Sequence, residues 1–200
     1  MVKFLIFNKI KRIYLTRSLV INSLALICIS PLLVNLLMGR KVLSYLSAEL
    51  GIIACLLILI GILTKIIGQF RYEKMKGFIK GTIELHNEKI IVNDNEYLIE
   101  EIKKIEVYGG DYKGKWISKH KTDFGNALSN GVENAIKIEM ENDKETVIIN
   151  FLQTEKREIK KAEKQLINYH KMGKIHWLKL IEILDINDYD EIQKFKSTIR

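Results

Sequence analysis

Two apolar stretches, SLVINSLALICISPLLVNLLM at residues 18–38 and LGIIACLLILIGILT at residues 50–64, contain no charged residue. The first is 21 residues long, and a helix of that length extends about 31 Å, the thickness of the hydrocarbon core of a bilayer. The second reaches spanning length over residues 46–67 if Glu49 and Lys65 direct their charges toward the two interfaces. The pattern therefore predicts two membrane spans.

When the flank at residues 42–49 is counted with the second stretch, only residues 39–41 separate the two, so the predicted spans form an antiparallel hairpin over residues 18–69. A cleaved signal peptide is the competing interpretation of the first stretch. It does not fit, because the stretch is longer than a signal core and no small-residue cleavage site follows before Arg40. We therefore expect an N-terminal hairpin that stays in the membrane.

The basic residues predict the orientation of this hairpin. Cytoplasmic flanks of membrane spans carry an excess of Lys and Arg. Arg40 and Lys41 are the basic residues of the link, whereas five lie on each outer side: Lys3, Lys9, Lys11, Arg12 and Arg17, then Lys65, Arg71, Lys74, Lys76 and Lys80. We expect a protein of the cell (inner) membrane with two spans and both termini in the cytoplasm.

The net charge of +8 belongs mainly to this membrane segment. Residues 1–70 contain eight Lys and Arg against the single acid Glu49, which leaves a charge of only +1 for residues 71–200. A nucleic-acid-binding domain would need a stronger basic surface or a recognisable motif, so we expect no nucleic-acid partner. Cys28 and Cys55 both lie in the predicted spans, which excludes a disulfide framework and cysteine-based zinc spacing.

Residues 1–17 have a pattern of their own. Ile6, Ile10 and Ile13 recur at helical spacing, while Lys9 and Arg12 fall on another face. This favours a basic amphipathic helix in the plane of the membrane. An ordinary cytoplasmic flank, whose lysines only set the topology, is the alternative.

From residue 70 the chain predicts a soluble domain of short strands separated by turn residues. Six strands are expected at residues 78–85, 89–92, 97–99, 102–108, 135–140 and 146–152, and a weaker one at residues 115–118. The period then changes, because Ile159, Ala162, Leu166 and Tyr169 recur three and four residues apart within residues 154–172. Thr154 is the expected N-cap and Gly173 the stop of this amphipathic helix.

Two short helices are predicted after Gly173, at residues 175–184 and 188–196, from the spacing of their apolar residues. Seven strands closed by a helix form a pattern in which the apolar stripe of the helix covers the open end of a bent sheet. The expected fold class is therefore an α+β membrane protein. Its expected domains are residues 1–17, the hairpin 18–69, a strand-rich domain 70–173 and a helical extension 174–200.

A membrane hairpin followed by seven strands and a capping helix resembles small bacterial membrane proteins that carry a pleckstrin-homology-like (PH-like) domain. The resemblance covers residues 18–172 and rests on architecture rather than on a diagnostic motif. It implies a partly open barrel that binds proteins or lipid headgroups, with no catalytic residue. The first hairpin turn, His86 to Lys89, lacks the basic cluster of eukaryotic PH domains that bind phosphoinositides.

The most distinctive polar segment is the loop at residues 109–133, which holds five glycines and mixes aromatic with basic residues. Long loops within compact domains are more often functional than connecting, and a basic loop near the cytoplasmic leaflet is suited to anionic headgroups. We therefore predict lipid or partner binding by Lys113, Lys115, Trp116, Lys119 and Lys121. A solvated loop has the same composition, so the prediction needs a structural test.

Two further groups of residues invite functional hypotheses. A basic ridge on the amphipathic helix could bind an acidic partner, although most such ridges are simply solvated; it comprises Lys156, Arg157, Lys160, Lys161 and Lys164. In the hairpin, Asn22, Asn35 and Glu49 are polar residues that either form an ion site or hold the two helices together.

No catalytic, metal-binding or nucleotide-binding motif accompanies these groups. The sequence therefore predicts neither an enzyme nor a cofactor. It predicts a membrane-anchored cytoplasmic module for binding or scaffolding, whose partners are membrane lipid and a protein or a second copy of the chain. In the alternative, the hairpin is the working part of a small transport or channel subunit, with Asn22, Asn35 and Glu49 lining a polar path.

Overall fold

The computed structural model describes residues 1–10, 17–38, 44–117, 125–141 and 146–199. Within these residues the chain forms nine strands and five α-helices, which confirms the α+β class. In chain order they are β1 (Val2–Lys9), α1 (Arg17–Met38), α2 (Ser44–Gly68), β2 (Gly77–Leu85), β3 (Lys89–Val92), β4 (Asn95–Leu98), β5 (Ile102–Tyr108), β6 (Lys113–Trp116), β7 (Leu128–Asn130), β8 (Asn134–Met140), β9 (Thr146–Phe151), α3 (Glu163–Lys171), α4 (Trp177–Leu184) and α5 (Tyr189–Ile199).

The chain divides into two compact units. The sheet unit comprises Met1–Lys11, Met75–Lys115 and Ser129–Arg200, and the helical unit comprises Arg12–Lys74 and Trp116–Leu128. The sheet unit is thus built from three pieces of chain, with the helices α1 and α2 inserted after its first strand. This organisation differs from the predicted domains 1–17, 70–173 and 174–200.

Seven strands form one antiparallel sheet in the order β4-β3-β2-β1-β9-β8-β5. The central strand is β1, which pairs with β2 from Val2↔Leu85 to Lys9↔Gly77 and with β9 at Ile6↔Phe151. The predicted in-plane helix over residues 1–17 is therefore wrong for residues 2–9. The physical reason is that Phe4 and Ile6 alternate along a strand and bury their side chains, 3% and 6% exposed.

The six stronger strand predictions correspond to β2, β3, β4, β5, β8 and β9. The weaker prediction at residues 115–118 overlaps β6 at residues 115 and 116, while Ser118 lies outside the described residues. β6 pairs with β7 in a separate two-stranded sheet. The large sheet nevertheless has seven strands, because β1, which was not predicted as a strand, is the seventh.

The core lies between the inner face of the sheet and the C-terminal helices. The predicted apolar stripe is confirmed, since Ile159, Ala162, Leu166 and Tyr169 are all at most 1% exposed. The stripe begins in a 3₁₀ turn, Glu158–Ala162, and continues in α3. Thr154 does not cap the helix. Its backbone N–H and hydroxyl donate to Glu158 Oε2 at 2.6 and 3.0 Å instead.

The last two helices complete the same core rather than forming a separate extension. Gly173 ends the preceding helical segment in the left-handed region, with φ of +76°, as expected for a helix stop. Beyond it, Leu180, Ile183 and Leu184 of α4 are buried among the core residues. Residues 174–200 therefore belong to the sheet unit.

Among the residues that the structure describes, one helix is long and apolar enough to cross a membrane by length and composition. It is α2, which over Glu49–Gly68 has a mean hydropathy of 2.7 and is 11% buried. The neighbouring α1 is 22 residues long, contains Pro31 and has a shorter apolar stretch, Leu19–Pro31. The two helices are in contact within the helical unit.

Candidate membrane-interface site

The C-terminal end of α2 is held by a segment of the predicted functional loop. Ala127 N–H donates to Gly68 O at 2.9 Å, and Leu128 N–H donates to Arg71 O at 3.1 Å. In return Glu73 N–H donates to Leu128 O at 2.8 Å. The last carbonyls of a helix have no partner within the helix, and Gly68 O thus gains Ala127 N–H as a second donor beside Arg71 N–H at 3.2 Å. We call residues 68–73 with Ile117 and 125–128 the helix-end clamp.

Side-chain and packing contacts reinforce the helix-end clamp. Asn126 Nδ2 donates to Tyr72 O at 2.6 Å, and Ile117 N–H donates to Ala127 O at 2.8 Å. Gly68 approaches the loop closely, because a Cβ added there would lie 3.0 Å from Gly125 O. The loop backbone is therefore seated directly on the end of the apolar helix.

Three aromatic side chains are exposed in this clamp or next to it in the sequence. Phe70 is 79%, Trp116 is 55% and Tyr72 is 45% exposed. Large aromatic residues at the end of an apolar helix are typical of the boundary between lipid and water. If α2 crosses a bilayer, all three belong at that boundary. The sequence prediction included Trp116 but missed Phe70 and Tyr72, whose position just after the second apolar stretch was an available signal.

The structure describes two of the four loop lysines that were predicted to bind lipid or a partner. Lys113 is exposed on β6, and Lys115 is half-buried with Nζ donating to Gly110 O at 2.6 Å. These two lysines and Trp116 share one short strand. Lys119 and Lys121 lie outside the described residues, so their part of the prediction stays a prediction.

Four buried polar residues, Asp111, Ser129, Asn134 and Gln153, hold the bases of the loop inside the sheet unit; we call them the polar hub. Asp111 Oδ2 accepts the Ser129 hydroxyl at 2.7 Å, and Asp111 N–H donates to Asn134 Oδ1 at 2.9 Å. Gln153 Nε2 donates to the same Asn134 Oδ1 at 2.9 Å. Throughout the described ranges, every buried side-chain nitrogen and oxygen has a hydrogen-bond partner.

Gln153 extends the polar hub to its surroundings. Its Nε2 also donates to Gly109 O at 2.7 Å, and its Oε1 accepts Ile159 N–H at 2.8 Å. The backbone carbonyl of Gln153 accepts Lys113 N–H at 3.0 Å. The same oxygen lies 2.1 Å from the position that a Cβ on residue 131 would occupy. Glycine is needed at residue 131 for this close approach and for its φ of +76°. A fully satisfied network of this kind fixes the backbone where β6 begins and where β7 ends.

The sequence prediction missed the polar hub entirely. Its members are ordinary polar residues without a characteristic spacing, separated by up to 42 positions in the chain. Only the glycines that flank them, Gly109, Gly110 and Gly131, distinguished this part of the sequence.

The predicted basic ridge is not a single row of free cations. Lys156 and Arg157 precede the helical segment, and Arg157 forms an ion pair with Asp185. Lys161 lies 3.4 Å from Glu158 and 3.5 Å from Glu155. Lys160 is half-buried and Lys164 is exposed. Burial opposes ionisation of Glu158, but hydrogen bonds from Thr154 and Glu155 and the charge of Lys161 outweigh it and lower its pKa.

The hairpin residues with predicted polar roles are described in part. Asn22 is exposed on α1 and Glu49 is exposed near the start of α2. The side chain of Asn35 lies outside the described part of the structure. Across the described residues, no group of three or more His, Cys, Asp or Glu is placed to hold a metal ion.

Comparison with known proteins adds no relative to this picture. A scan against models of protein families, a search of curated proteins and a search of solved structures each find no match to this chain.

Proposed function

We propose that the chain is a membrane-anchored binding module. In this proposal α1 and α2 both cross the inner membrane, and the sheet unit lies in the cytoplasm and binds a protein or an anionic lipid headgroup without catalysing a reaction. The proposal rests on one observation above all, the pairing of β1 with β2 across the inserted helices.

That pairing supports an even number of membrane crossings. Ile10 N–H donates to Lys76 O at 2.9 Å, so the chain leaves the sheet unit for the helices and returns to it at the same place. A water-exposed sheet occupies one side of a membrane, because open sheet edges are not stable within the hydrocarbon region. The segment between Ile10 and Lys76 must then cross twice or not at all.

A second crossing is therefore expected if α2 spans the membrane. The candidate is α1, whose 22 residues extend about 33 Å and match the hydrocarbon thickness. The basic residues on both outer flanks, against Arg40 and Lys41 in the link, favour cytoplasmic termini.

The binding role is supported by the architecture of the sheet unit. The sheet unit has seven antiparallel strands followed by a helix whose apolar stripe is buried, and this is the architecture on which the resemblance to PH-like membrane proteins rests. The position of the hairpin departs from that resemblance, since it interrupts the sheet after its first strand instead of preceding the domain.

Contact with lipid is supported by the helix-end clamp. Backbone hydrogen bonds hold the loop on the last turn of α2, and Phe70, Tyr72 and Trp116 are exposed there. With α2 in a bilayer, these aromatic rings lie in the headgroup region, and the neighbouring loop lysines are suited to anionic lipid.

Labelling of single cysteines in whole cells tests the topology. Cys28 and Cys55 are first replaced by Ala, and one cysteine is then introduced at Arg40 or at Arg200 in the full chain. We expect an impermeant maleimide to label residue 40 in intact cells but residue 200 only after lysis. Labelling of residue 200 in intact cells, or protection of residue 40 there, would refute the proposed arrangement.

A further inference from the structure

A cleft of about 320 Å³ opens on the sheet unit between the end of β5, the segment that precedes α3, and the end of α4. Its lining includes Val107, Gly110, Lys156, Arg157, Ile159 and Ile183. We propose that this cleft binds a small organic anion, a carboxylate or phosphate group attached to an apolar body. This site is separate from the membrane contact proposed above, and neither depends on the other.

Three apolar side chains contribute to the wall of the cleft, beside polar groups. Val107, Ile159 and Ile183 line it and are 2%, 1% and 8% exposed, so they are firmly packed in the core. The volume is at the lower end of the range of about 300–1,000 Å³ that is usual for small-molecule sites. A cleft of this volume accommodates a ring or a short aliphatic chain.

The charges at the rim favour an anion. Arg157 is paired with Asp185, and Glu182 is paired with Lys179 at 3.0 Å, so these lining charges compensate one another or a neighbour. Lys156 also lines the cleft, and within the described ranges it has neither an ion-pair nor a hydrogen-bond partner. The one cation that remains to be neutralised at this rim is that of Lys156, and an anionic ligand would neutralise it.

The backbone around the rim is conformationally unusual. Arg157 and Asp185 both occupy the left-handed region, with φ of 63° and 51°, although neither is a glycine. At Asp185 this is an ordinary helix ending, because the residue is the C-cap of α4. At Arg157 it is costly, and the surrounding structure maintains it. The two conformations hold the Arg157–Asp185 ion pair at the mouth of the cleft.

Gly110 keeps the cleft open. A Cβ added to this residue would meet no atom within 4 Å, and its φ is not in the left-handed region. Neither packing nor backbone conformation therefore requires glycine at this position. A side chain placed there would project into the space that the ligand needs, so replacement of Gly110 can block the cleft without disturbing the fold.

Ligand-observed fluorine NMR on the full chain in lipid nanodiscs tests this site. The probe is 4-(trifluoromethyl)benzoate, which joins a carboxylate to an apolar ring, and empty nanodiscs correct for partitioning into lipid. The uncharged analogue, 4-(trifluoromethyl)benzyl alcohol, has the same apolar body without the anion. We expect the wild-type chain to broaden the signal of the benzoate much more than that of the alcohol.

Three variants locate the binding. Lys156→Gln should weaken binding of the benzoate by about tenfold, because it removes the charge-assisted contact. Lys171→Gln is the matched control: it removes another exposed lysine, on α3 and outside the lining of the cleft, and should change affinity by less than about twofold. Gly110→Val should abolish binding while the melting temperature stays unchanged.

Equal losses in Lys156→Gln and Lys171→Gln would mean non-specific attraction and would overturn the proposal. Equal broadening of the alcohol, or full binding by a folded Gly110→Val chain, would overturn it as well. If Gly110→Val fails to fold, the contrast between the two lysine variants still decides the matter. None of these results bears on the labelling of residues 40 and 200, so the two proposals can fail separately.

Discussion

Leucine and isoleucine have opposite surroundings in the two units of this protein. In the sheet unit Ile83, Ile136 and Leu166 are 0% exposed, whereas in the helical unit Leu26 and Leu37 are 67% and 83% exposed. Exposed apolar side chains of this size are unfavourable in water, because each Å² of exposed apolar surface costs about 25 cal/mol. The sheet unit is therefore organised by burial from water, and the helical unit has a surface suited to lipid.

This contrast explains how one chain contains both units without a conventional domain boundary. The apolar residues of the sheet unit are buried from water, whereas those of the helical unit are suited to lipid. The helices can therefore be inserted into the sheet unit between β1 and β2. The inserted segment is long, but the entropy cost of closing a loop rises slowly with its length. Three experiments can break or sharpen this comparison.

The largest effect is expected from separating the units. If residues 11–75 are replaced by Asn-Gly, a two-residue turn joins Ile10 to Lys76. These two residues are already hydrogen-bonded, with Ile10 N–H donating to Lys76 O at 2.9 Å. We expect this short chain to be water-soluble and to give a dispersed NMR spectrum, because its core residues are all retained.

The matched control is the fragment of residues 71–200, which contains no inserted helix but also lacks β1. Phe4, Ile6 and Phe7 are buried, and at about 1.5–3 kcal/mol each their loss approaches the usual stability of about 5–15 kcal/mol for a domain. We expect that fragment to be unfolded. A folded 71–200 fragment would show that β1 is not an integral strand of the sheet, and an unfolded Asn-Gly chain would show that the sheet unit depends on the inserted helices.

An intermediate effect is expected from the same substitution made in each unit. Leu166→Ala removes a side chain that is 0% exposed from the core and should lower the free energy of unfolding by about 2–5 kcal/mol. Leu26→Ala removes one that is 67% exposed and should cost about 0.5 kcal/mol or less. Urea unfolding of the full chain in detergent, followed by far-UV circular dichroism, measures both, because the signal reports the structure of both units. Similar losses in the two variants would mean that Leu26 is covered by protein.

The smallest effect is expected where the loop meets the helix end. In full chains reconstituted in vesicles, Trp177→Phe leaves Trp116 as the single tryptophan. We expect headgroup-labelled lipids to quench Trp116 more in anionic than in neutral vesicles. Each well-placed lysine contributes about 1 kcal/mol, and salt should reduce the difference, because charges are screened beyond about 10 Å at 0.1 M.

Glutamine at the four loop lysines, Lys113, Lys115, Lys119 and Lys121, should remove the difference between the two vesicle types. A control chain with four exposed lysines replaced elsewhere, Lys80, Lys103, Lys194 and Lys196, should retain it. Quenching that is independent of lipid charge would leave Trp116 without an anionic lipid partner and favour a protein partner for the loop.

Most secondary structure after residue 76 was predictable, since it depends on local patterns. Alternating apolar residues and turn residues identified β2 to β5, β8 and β9 to within a few positions, and the period of 3.6 identified the stripe that contains Leu166. The candidate site was predictable only at Trp116 and its neighbouring lysines. The hydrogen bonds of the helix-end clamp join residues some 55 positions apart, such as Asn126 and Tyr72, and leave no local signal.

The secondary structure of residues 1–9 could not be predicted from the local sequence. Their apolar spacing is compatible with a helix of period 3.6 and with a strand of period 2, and the pairing of β1 with β2 and β9 favours the strand. Composition and patterning were enough to identify the apolar helix, the α+β class and the apolar stripe of α3, because these depend on neighbouring residues. Long-range contacts were needed to place β1 in the centre of the sheet, to assemble the polar hub and to form the cleft, because residues distant in sequence gain their burial and hydrogen bonds there only when the chain folds.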